Sequence, residues 1–221
     1  MAAIIFDTET TGLPNYKCRG IKPDYINAAM YSTCRMVSIS WIVADAADAD
    51  ASTDASASAP APAPTKYPVY YIVKPEGSTE QSTPESIAIH GITHEMAMER
   101  GVPFGTIIDH LFADINRALS VTSSTTGPVR LVAHNLDFDF NILCSELYRR
   151  GMLERIAELK PLKKFCTMLE GQKLMGVSKW PKLAELYRYV TNGEEITNAH
   201  NAMYDTIHCH RCYTELVSNA C

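Results

Sequence analysis

The sequence predicts an α/β protein: a mixed β-sheet flanked by helices on both faces. Two observations carry this. Runs rich in β-forming residues come first, in a hairpin-like pair, and strand–helix alternation follows before a mainly helical C-terminal part. The chain has 221 residues, 46% hydrophobic and 20% charged. That is the balance of an ordinary globular domain with enough apolar material for a sizeable core. A single domain spanning 1–221 is expected.

Ala2 to Phe6 is a short apolar run that stops at Asp7, as a buried central strand would when its end carries polar chemistry. Met36 to Ala44 (MVSISWIVA) and Tyr67 to Lys74 (YPVYYIVK) read as strands. Between them, residues 45–66 are low complexity: Ala, Asp, Ser and alternating Pro. Such a segment buries too little to offset its ordering entropy, so it reads as an enlarged hairpin loop with a polyproline-like end. Ser86 to Thr93 (SIAIHGIT) looks like a turn. A helix is expected from Thr106 to Leu119, where Ile107, Ile108, Leu111, Phe112, Ile115 and Leu119 share a face. Ser120 to Pro128 reads as a loop and Val129 to Ala133 as a strand. A helix from about Asp137 to Arg150 should end at Gly151, in the C′ position. Trp180 to Val190 and Ala199 to about Val217 complete the predicted helices.

The net charge of −5 argues against a protein that coats long nucleic acid, which needs a broad basic footprint. It does not exclude an enzyme that grips a few nucleotides through bound metal. No run of about 18 apolar residues is present, so no transmembrane helix and no membrane partner are expected. The N-terminal MAAIIFDTET has no positive region before its apolar run, unlike a signal peptide. Seven cysteines without regular spacing then suggest reduced thiols in an intracellular, reducing compartment.

Four carboxylates stand out. Asp7 and Glu9 are two apart on the first strand, so both point to one side. Paired carboxylates repel unless a proton or cation intervenes, and hard oxygen ligands favour Mg²⁺ or Mn²⁺ over zinc. Asp139 falls in the first turn of a predicted helix, next to Phe138, where the helix dipole favours an acid. A plain helix-start role is the alternative, although Asp137 competes for it. His200 and Asp205 open the last helix, five positions and roughly 140° apart at about 100° per residue. They do not stack on one face, but a histidine at a frayed start can swing over the pocket that Asp205 enters.

In that order, FDTETTGLP resembles the first motif of the DnaQ-like (DEDDh) 3′–5′ exonucleases. HNLDFD at 134–139 is similar to the second, and HNAMYD at 200–205 to the histidine-bearing third. IHGIT at 89–93 is similar to a stretch of bacterial proofreading subunits. The resemblance implies a ribonuclease H-like fold with five strands. It implies two divalent cations, Mg²⁺ or Mn²⁺, about 3.5–4 Å apart. Asp7 would bridge them, Glu9 and Asp205 would support the one nearer the attacking water, and Asp139 would help hold the other. His200 would act as general base. Thr8, Glu85, His90 and Phe138 would surround the terminal nucleotide, Phe138 by stacking and Glu85 by accepting from the 3′-hydroxyl. For Phe138 a core role, and for Glu85 a surface helix-start role, are alternatives.

The expected partner is a nucleic acid with a single-stranded or frayed 3′ end, DNA in preference to RNA, with a polymerase or other protein as a further candidate. An exoribonuclease of the same fold is one alternative and a non-catalytic nucleic-acid or polymerase-binding module another. Arg149, Arg150, Lys160, Lys163, Lys164, Lys179 and Lys182 could track a phosphate backbone or be ordinary solvated charges. In HCHRC at 208–212, His208 and Cys212 could share a metal at i, i+4, but two ligands do not close a zinc site. Packing is the preferred reading there.

Overall fold

Ala3–Thr10 forms the first strand, β1, in the middle of the sheet. The computed structural model describes residues 2–15, 24–44, 67–77, 80–122 and 129–218. After β1 come α1 (Ala28–Tyr31), β2 (Met36–Ala44), β3 (Val69–Ile72), α2 (Pro84–His90), α3 (His94–Arg100) and α4 (Phe104–Thr122). Then follow β4 (Arg130–Ala133), α5 (Leu136–Arg149), α6 (Leu153–Leu159), β5 (Lys163–Cys166), α7 (Thr167–Met175), α8 (Leu183–Val190) and α9 (Ala202–Ser218). The low-complexity segment at 45–66, residues 123–128 of the expected loop, Cys18 and Cys221 lie outside the described residues.

The sheet order is β3-β2-β1-β4-β5. β1 pairs antiparallel with β2, and β2 with β3, while β1–β4 and β4–β5 are parallel. This is the expected mixed five-stranded sheet. Alternation along β1 sends successive side chains to opposite faces. Ile4 and Phe6 enter the main core with Phe104, Ile107 and Leu111 of α4 and Ile142, Leu143 and Leu147 of α5. Ala3 and Ile5 face the other way, against Cys209 and Tyr213 of α9. Each fully buried Ile or Phe contributes roughly 1.5–3 kcal/mol. Asp7 and Glu9 continue the Ala3 and Ile5 series, so they share the face that α9 covers.

Several boundaries differ from expectation. β1 runs on to Thr10, so Asp7 and Glu9 lie on the strand as expected, with Asp7 in its middle and not at its end. The segment read as a turn is mostly helix α2: Thr83 caps it by accepting from Ser86 N–H, Pro84 opens it, and Gly91 closes it at φ 74°. α4 continues through the expected loop start to Thr122, and Leu119, assigned to its buried stripe, is 39% exposed. The helix expected from Trp180 begins at Leu183. α9 begins at Ala202 because Asn198 and His200 adopt left-handed conformations, φ 51° and 64°. Asn201 then caps it, its side chain accepting from Met203 N–H at 3.1 Å. Gly151 has φ 71°, and Met152 N–H donates to Leu147 O at 2.9 Å, so α5 ends in the expected glycine cap.

Candidate active site

The site forms where β1 outruns β4. Their parallel register ends at Ile5 opposite Val132, whereas Asp7, Thr8 and Glu9 stay paired with Ser40, Ile39 and Ser38 of β2. The register slips just after, between Glu9 and Thr10, a bulge of the kind that re-aims strand ends. Beyond β4 the chain turns through Asn135 at φ 66°, a conformation asparagine tolerates well, straight into α5. The first turn of α5 therefore takes the place beside β1 that a longer β4 would fill. There Asp139 Oδ1 accepts from the Thr8 amide at 3.0 Å and the Thr8 hydroxyl at 2.7 Å.

Asp7, Glu9 and Asp205, the last from the first turn of α9, each bring a carboxylate oxygen within 4.8 Å of the others. Like charges at this range in a partly desolvated site disfavour ionisation. Burial, then Asp139, Asp205 and Glu9, hold the Asp7 carboxyl well above the usual range. Burial and then Asp205 and Asp139 push Glu9 up to about 8. Burial raises Asp205 and Asp139 as well, against the opposing hydrogen bonds from the His200 amide and from Thr8. The donor set is all hard oxygen, which suits Mg²⁺ or Mn²⁺. The hydroxyls of Ser38 and Ser40, opposite Glu9 and Asp7 in the sheet, are buried; Ser38 meets the Tyr70 hydroxyl, and Ser40 makes no hydrogen bond. Directly opposed residues share a face, so both serines lie beside the acids and Ser40 is a spare donor. They are functional candidates that sequence reasoning missed, although polar residues at alternate positions of an otherwise apolar strand were the available signal.

His200 meets Asp205 through its backbone: the His200 N–H donates to Asp205 Oδ2 at 3.0 Å, and the imidazole is on the exposed side. Thr8 is buried with its hydroxyl committed to Asp139. Phe138 sits half-buried in the first turn of α5, packed against the main core. Glu85 is exposed in the first turn of α2. His90 ends α2, with Nδ1 accepting from Ile92 N–H at 3.0 Å and Nε2 buried without a partner. Burial holds its pKa below the ordinary value.

One expectation is corrected. Arg150 is not a solvated, strand-tracking charge: it pairs with Glu146 and Glu76 and lies 4.2 Å over the Phe104 ring. HCHRC forms no metal-capable group among the described residues. His208 packs edge-on against Tyr187 at 4.9 Å, and Cys212 is buried beside Leu186. A further unforeseen residue is His134, which burial drives down to about 4 and which is therefore neutral. It joins Thr167 Oγ1 at 3.1 Å through Nδ1 and donates from Nε2 to Pro181 O at 3.0 Å.

No family's sequence profile and no curated protein sequence matches the chain. Solved structures do. Exonuclease I of E. coli in complex with a dT13 oligonucleotide superposes with TM-score 0.63 at 17% identity, over 98% of this chain and 41% of that one. The moderately thermophilic Exonuclease I of Methylocaldum szegediense gives 0.60 at 21%, over 99% and 40%. A 3′-exonuclease studied for 3′-end specific recognition of histone mRNA stem-loop gives 0.56 at 13%, over 100% and 64%. The fold is thus the ribonuclease H-like α/β fold of these exonucleases. The chain spans about two-fifths of the length of the Exonuclease I chains it matches. Among the described residues, no helix is long and apolar enough to cross a membrane.

Proposed function

We propose that the chain is a DnaQ-like (DEDDh) 3′–5′ exonuclease that releases 5′-mononucleotides from the 3′ end of a nucleic acid, DNA in preference to RNA. The observation that carries this is the meeting of Asp7, Glu9 and Asp205, with Asp139 pinned beside them, on a fold shared with known exonucleases. Asp7, Glu9, Asp139 and Asp205 would hold two divalent cations, Mg²⁺ or Mn²⁺. Bound there, such ions would lower the pKa of water and offset charge on the phosphate and the leaving oxygen.

The remaining work falls to the chain. His200, at the mouth of the site, accepts the proton of the attacking water through its imidazole. The new bond is from water oxygen to phosphorus, and the bond to the 3′ oxygen of the preceding nucleotide breaks. Thr8 fixes Asp139 through two donors, and with Phe138, Glu85 and His90 it borders the terminal nucleotide. Phe138 offers an aromatic surface to the base or sugar. Glu85 accepts from the free 3′-hydroxyl, and the unpartnered Nε2–H of His90 donates. The alternative of an exoribonuclease draws support from the 3′-exonuclease described with an mRNA stem-loop.

The test is a 5′-labelled single-stranded DNA and its matched RNA, incubated with Mg²⁺. Wild type should give a ladder shortened from the 3′ end, faster on DNA, and Asp7→Ala should abolish it. Equal shortening by both proteins, or shortening by neither, removes the proposal. A faster RNA ladder reverses the substrate preference alone.

A further inference from the structure

A cleft of about 340 Å³ opens at the first turn of α5, where Leu136 and Asp137 line it. Asn135 and Asp137, Lys164 of β5, Met168 and Leu169 of α7, and Trp180 line it. Trp180 is a large apolar ring, 64% exposed among the described residues. A tryptophan so exposed is unusual where burial would stabilise the protein by several kcal/mol.

Trp180 is nevertheless not on a loose loop. The neutral His134, the residue just after β4, donates to the carbonyl of Pro181, the next residue along. Thr167 at the start of α7 holds the other nitrogen of the same imidazole. On the far side, Glu185 accepts from Lys182 N–H at 2.8 Å and pairs with Lys179 at 2.9 Å. The ring is thus presented from a braced segment, tied to the strand end that leads into the catalytic turn.

The surroundings also select the occupant. Lys164 lines this cleft, and Lys179 and Lys182 stand on either side of Trp180 and Pro181 in the sequence. The acids Asp137 and Glu170 also line it, so it is not a simple anion trap. An exposed aromatic face with cations along its border is what a single strand requires: a base to stack and a phosphate to steer. Asp137 of the cleft and Phe138 and Asp139 of the proposed active site are consecutive residues of α5, which makes the two regions adjoining. We infer that Trp180 and the adjoining cleft form a subsite for an unpaired nucleobase upstream of the terminal nucleotide. This rests on the exonuclease reading for its place along the strand, but its physical test is separate.

The chain has only two tryptophans, and the other, Trp41, is fully buried with Nε1 donating to Asp114 at 2.8 Å. Intrinsic fluorescence therefore reports on Trp180 when a strand binds. The probe is single-stranded oligothymidylate, with Ca²⁺ in place of Mg²⁺ to slow hydrolysis, and affinity is read independently by anisotropy of an end-labelled strand. Binding should quench the wild-type emission. Trp180→Ala should bind on the order of 5- to 100-fold more weakly, given the strength of base–aromatic stacking, and Trp180→Phe should bind close to wild type. Because the side chain is exposed, both variants should keep the wild-type melting temperature. Unchanged emission on a saturated protein, equal affinity of wild type and Trp180→Ala, or no binding at all would overturn the subsite. Hydrolysis without quenching leaves the exonuclease reading in place and removes the subsite, while quenching without hydrolysis does the reverse.

Discussion

Glu146 and Glu9 are both carboxylates drawn into the protein, and they are treated in opposite ways. Glu146, on α5, has a side chain only 2% exposed and is surrounded by cations. Arg35 binds it with two nitrogens at 2.7 and 3.0 Å, Arg150 pairs with it, and the Met36 amide donates at 3.2 Å. Burial alone would raise its pKa, but the Arg35 hydrogen bonds and the charges of Arg35, Arg150 and Arg149 carry it below the usual value. Glu9 has burial too, and its charged neighbours are other acids, so its pKa goes up to about 8. The first arrangement is complete within the protein. The second is complete only with positive charge from outside, which is why the acid cluster reads as a cation site and the arginine cluster as part of the scaffold.

The largest effect that sharpens this contrast is in rate. His200→Asn should lower Mg²⁺-dependent cleavage by about 10²- to 10⁴-fold, as for loss of a general base, with little change in melting temperature because the side chain is exposed and asparagine tolerates the backbone φ of 64°. A matching fall in thermal stability would reassign His200 to the scaffold.

Next comes stability. Glu146→Gln leaves Arg35 and Arg150 without their buried anion and should destabilise the fold by about 3–5 kcal/mol, measured by urea unfolding. Asp7→Asn removes one member of a repelling set, so it should raise the melting temperature of the metal-free protein at pH 8. If both variants shift stability in the same direction, the contrast is wrong.

The smallest effect is in pH dependence. The Glu9 carboxyl has a folded pKa of about 8 against an ordinary 4.5. A raised pKa means that the fold favours the protonated form. That contribution is complete below 4.5 and is lost as pH rises towards 8. Metal-free protein should therefore melt lower as pH climbs through this window. Added Mg²⁺ should restore stability, and more at pH 8 than at pH 5. A Mg²⁺ shift that is equal at both pH values, or absent, counts against the site.

Much of this was legible in the sequence, for reasons that differ by element. β2 matches its expected bounds, Met36 to Ala44, because nine consecutive buried positions leave a continuous β-rich run. The acids stand out in the sequence because Asp7 ends the apolar run from Ala2, Glu9 lies two residues on, and Asp139 and Asp205 each follow an aromatic residue. β5 was not: KKFC is four residues with both lysines exposed, and parallel pairing to β4 makes it a strand without any hydrophobic alternation. α7 was hidden by Gly171, which reads as a breaker. It is there because a Cβ would come within 2.6 Å of the Leu186 side chain, where α7 and α8 meet. α2 and α3 are seven residues each, too short for a helical period, although Thr83 and Thr93 are ordinary N-cap signals. The backbone link from His200 to Asp205 was beyond reach, since it depends on a left-handed His200 that no pattern announces. His134 looked like part of a motif, and only the fold reveals that its ring ties β4 to the Trp180 segment.

The most direct test of the central claim is calorimetric titration of Mn²⁺ at pH 7, run in two buffers of different ionisation enthalpy. Metal binding needs ionised carboxylates, and Glu9, with a pKa of about 8, is mostly protonated at pH 7. The account predicts binding accompanied by proton release in wild type and in Glu146→Asp, and loss of that binding in Asp7→Asn. Binding that releases no protons, or that survives unchanged in Asp7→Asn, would contradict it.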